Sequence, residues 1–217
     1  VVVHMPYLPN LATLDEELYL KSIRSLRENL DRCEAVGAEY LVTHMGKGVH
    51  PQAVSRMVEA IKHAWAEKDR RVLLLLENAA GQGSELGSTL EELYEVYKDI
   101  VRHINKIGIC IDTCHAFAAG YDIRTKGEIR NFVKKILYLF DRQDMKVIHL
   151  NDSVKVLGSC VDRHMHIEKG ELGTDAFRYI VNDPVIRTVP GILETPKKSD
   201  EDDLINLATV RSLMRRK

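Results

Sequence analysis

What this chain has little of narrows its class first. Its four cysteines, Cys33, Cys110, Cys114 and Cys160, are scattered through 217 residues with no C-x-x-C pair. They are too sparse for a disulfide scaffold and point to a reducing, intracellular setting. An excess of either charge is also absent, with 31 Lys and Arg against 32 Asp and Glu. The whole molecule therefore offers no electrostatic case for a polyanionic partner, and any nucleic-acid surface must be local or made positive by bound metal. No apolar run approaches the roughly 18 residues of a membrane span, and the first residues lack the charged, apolar and small-residue order of a signal peptide. A soluble, cytoplasmic protein with no membrane partner is expected. No linker rich in Gly, Ser or Pro divides the sequence, and 45% apolar content suffices for a substantial core. The expectation is one domain over residues 1–217. The chain opens on Val1-Val2-Val3-His4 without an initiator Met, already in what reads as a core strand. A fragment or a shortened variant is expected.

What is present is arranged around the stretch Lys106 to Asp122. Ile107, Ile109 and Ile111 with Cys110 form a short β-branched run, the pattern of a strand buried on both faces. It ends at Asp112, and His115 follows three residues later, so a carboxylate and an imidazole project where a buried strand gives way to a loop. Such oxygen and nitrogen donors suit a borderline divalent metal. A plainer reading is that Asp112 caps a following helix and His115 is an ordinary polar residue.

Recurrence decides between them. Strands are read at Val1 to Val3, Tyr40 to Thr43, Val72 to Leu76, Ile107 to Ile111, Val147 to Ile148 and Gly191 to Leu193. Helical apolar spacing marks Leu14 to Val36, Gln52 to Glu67, Thr89 to Val101, Lys126 to Phe140, Asp175 to Val181 and Asp202 to Met214. Strand alternates with helix six times, which implies a parallel sheet with helices outside it. The residues that end the strands are His4, His44, Glu77, Asp112, His149 and Glu194, at separations of 40, 33, 35, 37 and 45 residues. Only about a fifth of the chain is His, Asp or Glu, so chance does not readily place one at all six ends. Side chains at the carboxyl ends of parallel strands converge where (β/α) barrels keep their active sites. An open doubly wound sheet would need ligands at one switch point alone. The fold class is therefore α/β, a TIM-type (β/α) barrel with six units visible. An eight-stranded closure leaves the first two units apparently missing.

Six converging donors exceed what one zinc takes. Two metals sharing a carboxylate, with Glu77 or Asp112 as the bridge, use them economically and suit phosphate-ester hydrolysis. The polar loop from Asn151 to Gly173 adds Asp162-Arg163-His164. Alternate residues of an extended segment point the same way, so Asp162 and His164 can grip one ion, with His115 completing a third site.

Six segments then carry a resemblance: His4-Met5-Pro6-Tyr7-Leu8-Pro9-Asn10-Leu11-Ala12, Glu77 to Gly83, Cys110 to Asp122, His149-Leu150-Asn151-Asp152, Asp162-Arg163-His164 and Leu193-Glu194-Thr195. In their order and over the whole chain they resemble the motifs of the endonuclease IV family of apurinic/apyrimidinic endonucleases. The resemblance implies a trinuclear zinc barrel, with Mn2+ an alternative at one or more sites, that cleaves double-stranded DNA 5′ to an abasic site. It assigns His4, His44 and Glu77 to the first zinc, and Glu77, Asp112, His149 and Glu194 to the second, with Glu77 bridging. His115, Asp162 and His164 take the third. Hydroxide between the first two metals would attack phosphorus while the third stabilises the leaving oxygen, and Glu77 and Glu194 are the residues expected in catalysis. Tyr7, Leu8 and Arg163 would meet DNA, the first two as a wedge where the abasic nucleotide leaves the stack. A monomer is expected.

Two departures bear on the DNA grip and not on the ligands. Met45 stands where the family usually has proline, and Glu168-Lys169-Gly170 where it has Gly-x-Gly. His50, His63 and His103 read as surface histidines, Cys110 and Cys114 as core fillers, and His166 as a lesser candidate for a partner behind the third site. Lys47, Arg124 and Lys155 are candidate phosphate contacts. Two other functions fit the barrel: a divalent-metal sugar isomerase, whose sites favour carboxylates with a lysine, and a non-catalytic metal- or DNA-binding variant.

Overall fold

The computed structural model describes residues 1–49, 51–66 and 68–215. His50 and the expected helix end at Glu67 lie outside the described residues. The chain divides into two compact units, one of residues 1–79 and 83–110, the other of residues 80–82 with the chain from Ile111 onward.

In the first unit, strands β1 (Val2–His4), β2 (Tyr40–His44), β3 (Leu73–Glu77) and the start of β4 (Ile107–Asp112) pair in that order, all parallel. Leu41, Val42, Leu74, Leu75, Leu76 and Ile109 are wholly buried, as continuous aliphatic runs require when a sheet is covered on both faces. Helices α1 (Glu16–Ala35), α2 (Gln52–Trp65) and α3 (Leu90–Ile100) connect the strands. The Asp15 carboxylate starts α1 by accepting the Leu18 N–H at 3.0 Å, and Gly37, at φ +69°, follows its end. Thr89 and Glu92 form a reciprocal capping box that opens α3.

The second unit holds the end of β4, then α4 (Thr113–Ala118), α5 (Lys126–Leu139), β5 (Met145–His149), β6 (Asp152–Ser153), β7 (His164–Met165), α6 (Gly173–Ile180), β8 (Gly191–Ile192) and α7 (Asp200–Leu213). Strands β5 and β8 pair in parallel, His149 beside Ile192. Strands β6 and β7 form an antiparallel pair with Ser153 opposite His164. Phe117, Phe177, Val147, Ile129, Ile136 and Ile180 are buried here.

Most expected elements appear with ends shifted by a residue or two. Two features differ. Helix α4 begins directly after Asp112, whose Oδ1 accepts the His115 N–H at 2.8 Å, so Asp112 is a helix cap as well as a strand end. Six residues are too few for a 3.6-residue period to show in the sequence. The stretch Asn151 to Gly173, read as a loop, carries the β6–β7 pair, whose two-residue strands leave no alternation to detect. The buried Asp152 carboxylate closes this stretch, accepting the N–H groups of Ser153 at 2.8 Å, Gly170 at 3.0 Å and Leu172 at 2.9 Å. Burial raises its pKa despite those bonds.

Glu168 holds φ +71°, a conformation that costs a residue with a Cβ about 1–2 kcal/mol. Two residues on, a Cβ at Gly170 would collide with the Ser153 carbonyl oxygen and the Asp152 carboxylate. Glu168→Gly is therefore expected to stabilise the chain by up to about 1 kcal/mol, and Gly170→Ala to destabilise it by about 1–3 kcal/mol. Thermal unfolding of the two variants checks this, and equal midpoints would contradict it.

Candidate metal-binding clusters

In the first unit three strands deliver one donor each. His4 ends β1, His44 ends β2 and Glu77 ends β3, and the register sets His44 directly beside Glu77. Glu77 is fully buried. Its Oε2 lies 2.9 Å from His4 Nε2 and 3.6 Å from His44 Nε2. The other ring nitrogen of His4, Nδ1, donates to the Met5 carbonyl at 2.7 Å, which in a neutral imidazole leaves the lone pair on Nε2. A lone pair facing a buried carboxylate oxygen needs a second proton or a cation. One ligand atom from each of the three residues lies within 4.8 Å of the others. Small shifts would bring all three to the ~2.0–2.2 Å of zinc bonds.

The second unit gathers two neighbouring groups, His164 Nε2 of one lying 3.7 Å from Asp112 Oδ2 of the other. Asp112, His149 and Glu194 each offer an atom within 4.8 Å of the others; His149 Nδ1 is 3.0 Å from Glu194 Oε2 and 3.9 Å from Asp112 Oδ2. His115, Asp162 and His164 do the same, with Asp162 Oδ1 3.3 Å from His115 Nε2 and 3.2 Å from His164 Nε2. Here too His164 turns Nδ1 to a carbonyl, that of Glu194, at 3.1 Å, and presents Nε2 to carboxylates. The donors in these groups are nitrogen and oxygen, the set that borderline and hard divalent ions take. Cys114 Sγ also comes within reach of Asp112 and His164, but burial, reinforced by the Asp112 charge, pushes its thiol up to about 12. It donates to the Arg163 carbonyl at 3.7 Å and fills the core.

Electrostatics in the His115–Asp162–His164 group are strong. Burial alone would raise the Asp162 pKa, but the hydrogen bonds and charges of His115 and His164 outweigh it and hold the carboxyl well below its usual range. Burial alone would lower His164; the Asp162 hydrogen bond and the charges of Asp112 and Asp162 lift it to about 9.

Over residues 1–214 the chain matches the family described as xylose isomerase-like TIM barrel. It is 44% identical over 217 residues to a probable endonuclease 4 from Methanoculleus marisnigri, covering 98% of this chain and 77% of that one. A probable endonuclease 4 from Chloroflexus aurantiacus is 45% identical over 219 residues, covering 99% and 76%. The crystal structure of endonuclease IV from Thermus thermophilus superposes with a TM-score of 0.84 at 35% identity, over 98% of this chain and 74% of that one. The chain belongs to the endonuclease IV family. Its fold is the TIM-type barrel of that family, and it spans about three quarters of the length of these relatives.

In this member of the endonuclease IV family the three residues expected from sequence to meet DNA are exposed. Tyr7 is 61% and Leu8 91% exposed, on a loop of the first unit that borders a cavity of about 250 Å³ reaching His44. The Tyr7 hydroxyl accepts from Lys47 Nζ at 3.0 Å and donates to Glu85 Oε1 at 3.4 Å, so Lys47 braces this loop. Asn10, not singled out from sequence, pins it: its side chain donates to the Lys47 carbonyl at 2.9 Å and accepts the N–H groups of Ala12 and Lys47 at 3.0 Å. Met45, in place of the family's proline, is fully buried and packs into the space that Gly87 leaves by lacking a Cβ. Arg163 is exposed in the second unit and donates to its neighbour's carbonyl, that of Asp162. Arg124 is held by both oxygens of Asp122, and Lys155 is exposed. His63 and His103 are exposed as read. His166 accepts from Asn206 of α7 at 3.0 Å, a structural contact with the closing helix.

Because the folded value of His164 lies above its ordinary 6.5, its contribution to the stability of the metal-free chain is full below pH ~6.5 and fades as pH rises through about 9. The contribution of Asp162 runs the other way, present above pH ~4 and lost on acidification. In metal-free protein the NMR titration of His164 is expected to have its midpoint near pH 9. A midpoint at or below 6.5 would contradict the described ion pair.

Proposed function

We propose that the chain hydrolyses the phosphodiester bond 5′ to an abasic site in double-stranded DNA, with three zinc ions bound and manganese an alternative at one or more positions. What supports this most directly is the pairing of family and donor set: relatives named endonuclease 4, and nine residues of nitrogen and oxygen chemistry collected in groups with carboxylates buried among imidazoles. His4, His44 and Glu77 would hold one ion, Asp112, His149 and Glu194 another, and His115, Asp162 and His164 the third. Divalent cations bound there would supply hydroxide near neutral pH and neutralise the charge on phosphate.

The chain's own residues do the rest. Glu77 and Glu194 are the carboxylates we assign to catalysis, Glu77 set against His4 and Glu194 against His149. The carbonyls of Met5 and Glu194 hold the rings of His4 and His164 with Nε2 turned inward. Tyr7 and Leu8 enter the base stack, which costs least where a base is already missing, and Arg163 meets phosphate. A sugar isomerase on this barrel is the weaker reading, because five of the nine donors are histidines.

The test is incision of a labelled abasic duplex by zinc-loaded protein, with elemental analysis. About three zinc ions per chain are expected, incision lost on chelation and restored by zinc, and kcat lowered at least about a hundredfold by Glu77→Gln. Turnover of aldoses with intact DNA would favour the isomerase. Tight binding of abasic duplex without incision would mark a non-catalytic variant.

A further inference from the structure

Asn151 was only part of a motif in the sequence, yet in the second unit it touches both carboxylates of one group. It is fully buried. Its Nδ2 donates to Asp112 Oδ2 at 2.6 Å and to Glu194 Oε2 at 3.4 Å, which uses both hydrogens of the amide. Its Oδ1 accepts the Glu194 backbone N–H at 2.8 Å. That last bond settles the orientation of the amide, since a backbone N–H can only donate and the group facing it must be oxygen. The NH2 is thus locked toward the two side-chain carboxylates.

The backbone of Asn151 is held independently. Its N–H donates to Thr113 Oγ1 at 2.9 Å, and Thr113 Oγ1 donates back to the Asn151 carbonyl at 2.7 Å. Thr113 directly follows Asp112, so the hydroxyl ties the end of β4 to the segment after β5. Asp112 Oδ1 is engaged by the His115 N–H at 2.8 Å, and Oδ2 by Asn151, so a donor fixes the direction of each carboxylate oxygen.

We infer that Asn151 is a positioning residue for the Asp112–His149–Glu194 group, an uncharged donor that holds two carboxylates at fixed rotation so that both face one cation. Resting as it does on the metal-dependent reading above, this deepens that reading by naming what aims two of the donors. A neutral amide suits the role. A lysine or arginine there would neutralise the carboxylates and compete with the metal, whereas an apolar residue would leave them to rotate and repel each other.

Asn151→Ala removes the amide and keeps both backbone bonds to Thr113. Cobalt(II), whose visible absorption reports ligand geometry, is titrated into metal-free wild-type and variant chains against a competing chelator. The variant is expected to bind cobalt about 10–100-fold more weakly, with an altered visible spectrum. In the zinc-loaded form kcat for abasic duplex should fall at unchanged KM. Asn151→Ser, which keeps more of the volume, serves as the second variant should the first fold poorly, with the same expectation. Wild-type cobalt affinity and spectrum in a folded variant would overturn the inference and leave the proposed function standing. Failure of the wild-type chain to bind cobalt and to incise would overturn both.

Discussion

A carboxylate buried against imidazole ring nitrogens is the constraint on which the rest of this structure depends. Glu77 is completely removed from solvent, and a lone ionised carboxylate in such a place costs several kcal/mol. The chain sets the imidazoles of His4 and His44 beside it and, for His4, ties the outer nitrogen to a carbonyl so that the inner one faces the carboxylate. The second unit repeats the device with His164. Both places set ring nitrogens against carboxylate oxygens, the donor set that divalent ions take.

The parallel strands make it affordable. Leu74, Leu75 and Leu76 ahead of Glu77, and Ile107 to Ile111 ahead of Asp112, are buried without interruption. Packing of those runs sets strand position, and strand position sets where the terminal side chain emerges. Function sits at the ends because the middles are committed to the core.

This division explains what the sequence disclosed. Strand ends were legible because each polar donor follows an aliphatic run, and all nine expected donors do fall in the clusters. The plainer reading of Asp112 as the cap of a following helix holds for helix α4, whose six residues carry no amphipathic period that would have given its length. The β6–β7 pair was hidden for a similar reason. Asn151 and Asn10 were missed because an amide's role lies in which backbone and side-chain groups meet it across the fold, and no spacing encodes that. Glu168 shows the converse: the departure from Gly-x-Gly was visible in sequence, and only the backbone reveals that its residue holds a positive φ.

X-ray absorption at the zinc edge tests the central claim most directly, because it counts the atoms touching the metal whatever the enzyme does. Zinc-loaded protein is expected to show a first shell of nitrogen and oxygen alone at about 2.0–2.2 Å, with imidazole scattering beyond it. A sulfur shell near ~2.3 Å would place zinc on Cys110 or Cys114 instead, and would contradict the account that imidazoles and carboxylates at the strand ends hold the metal.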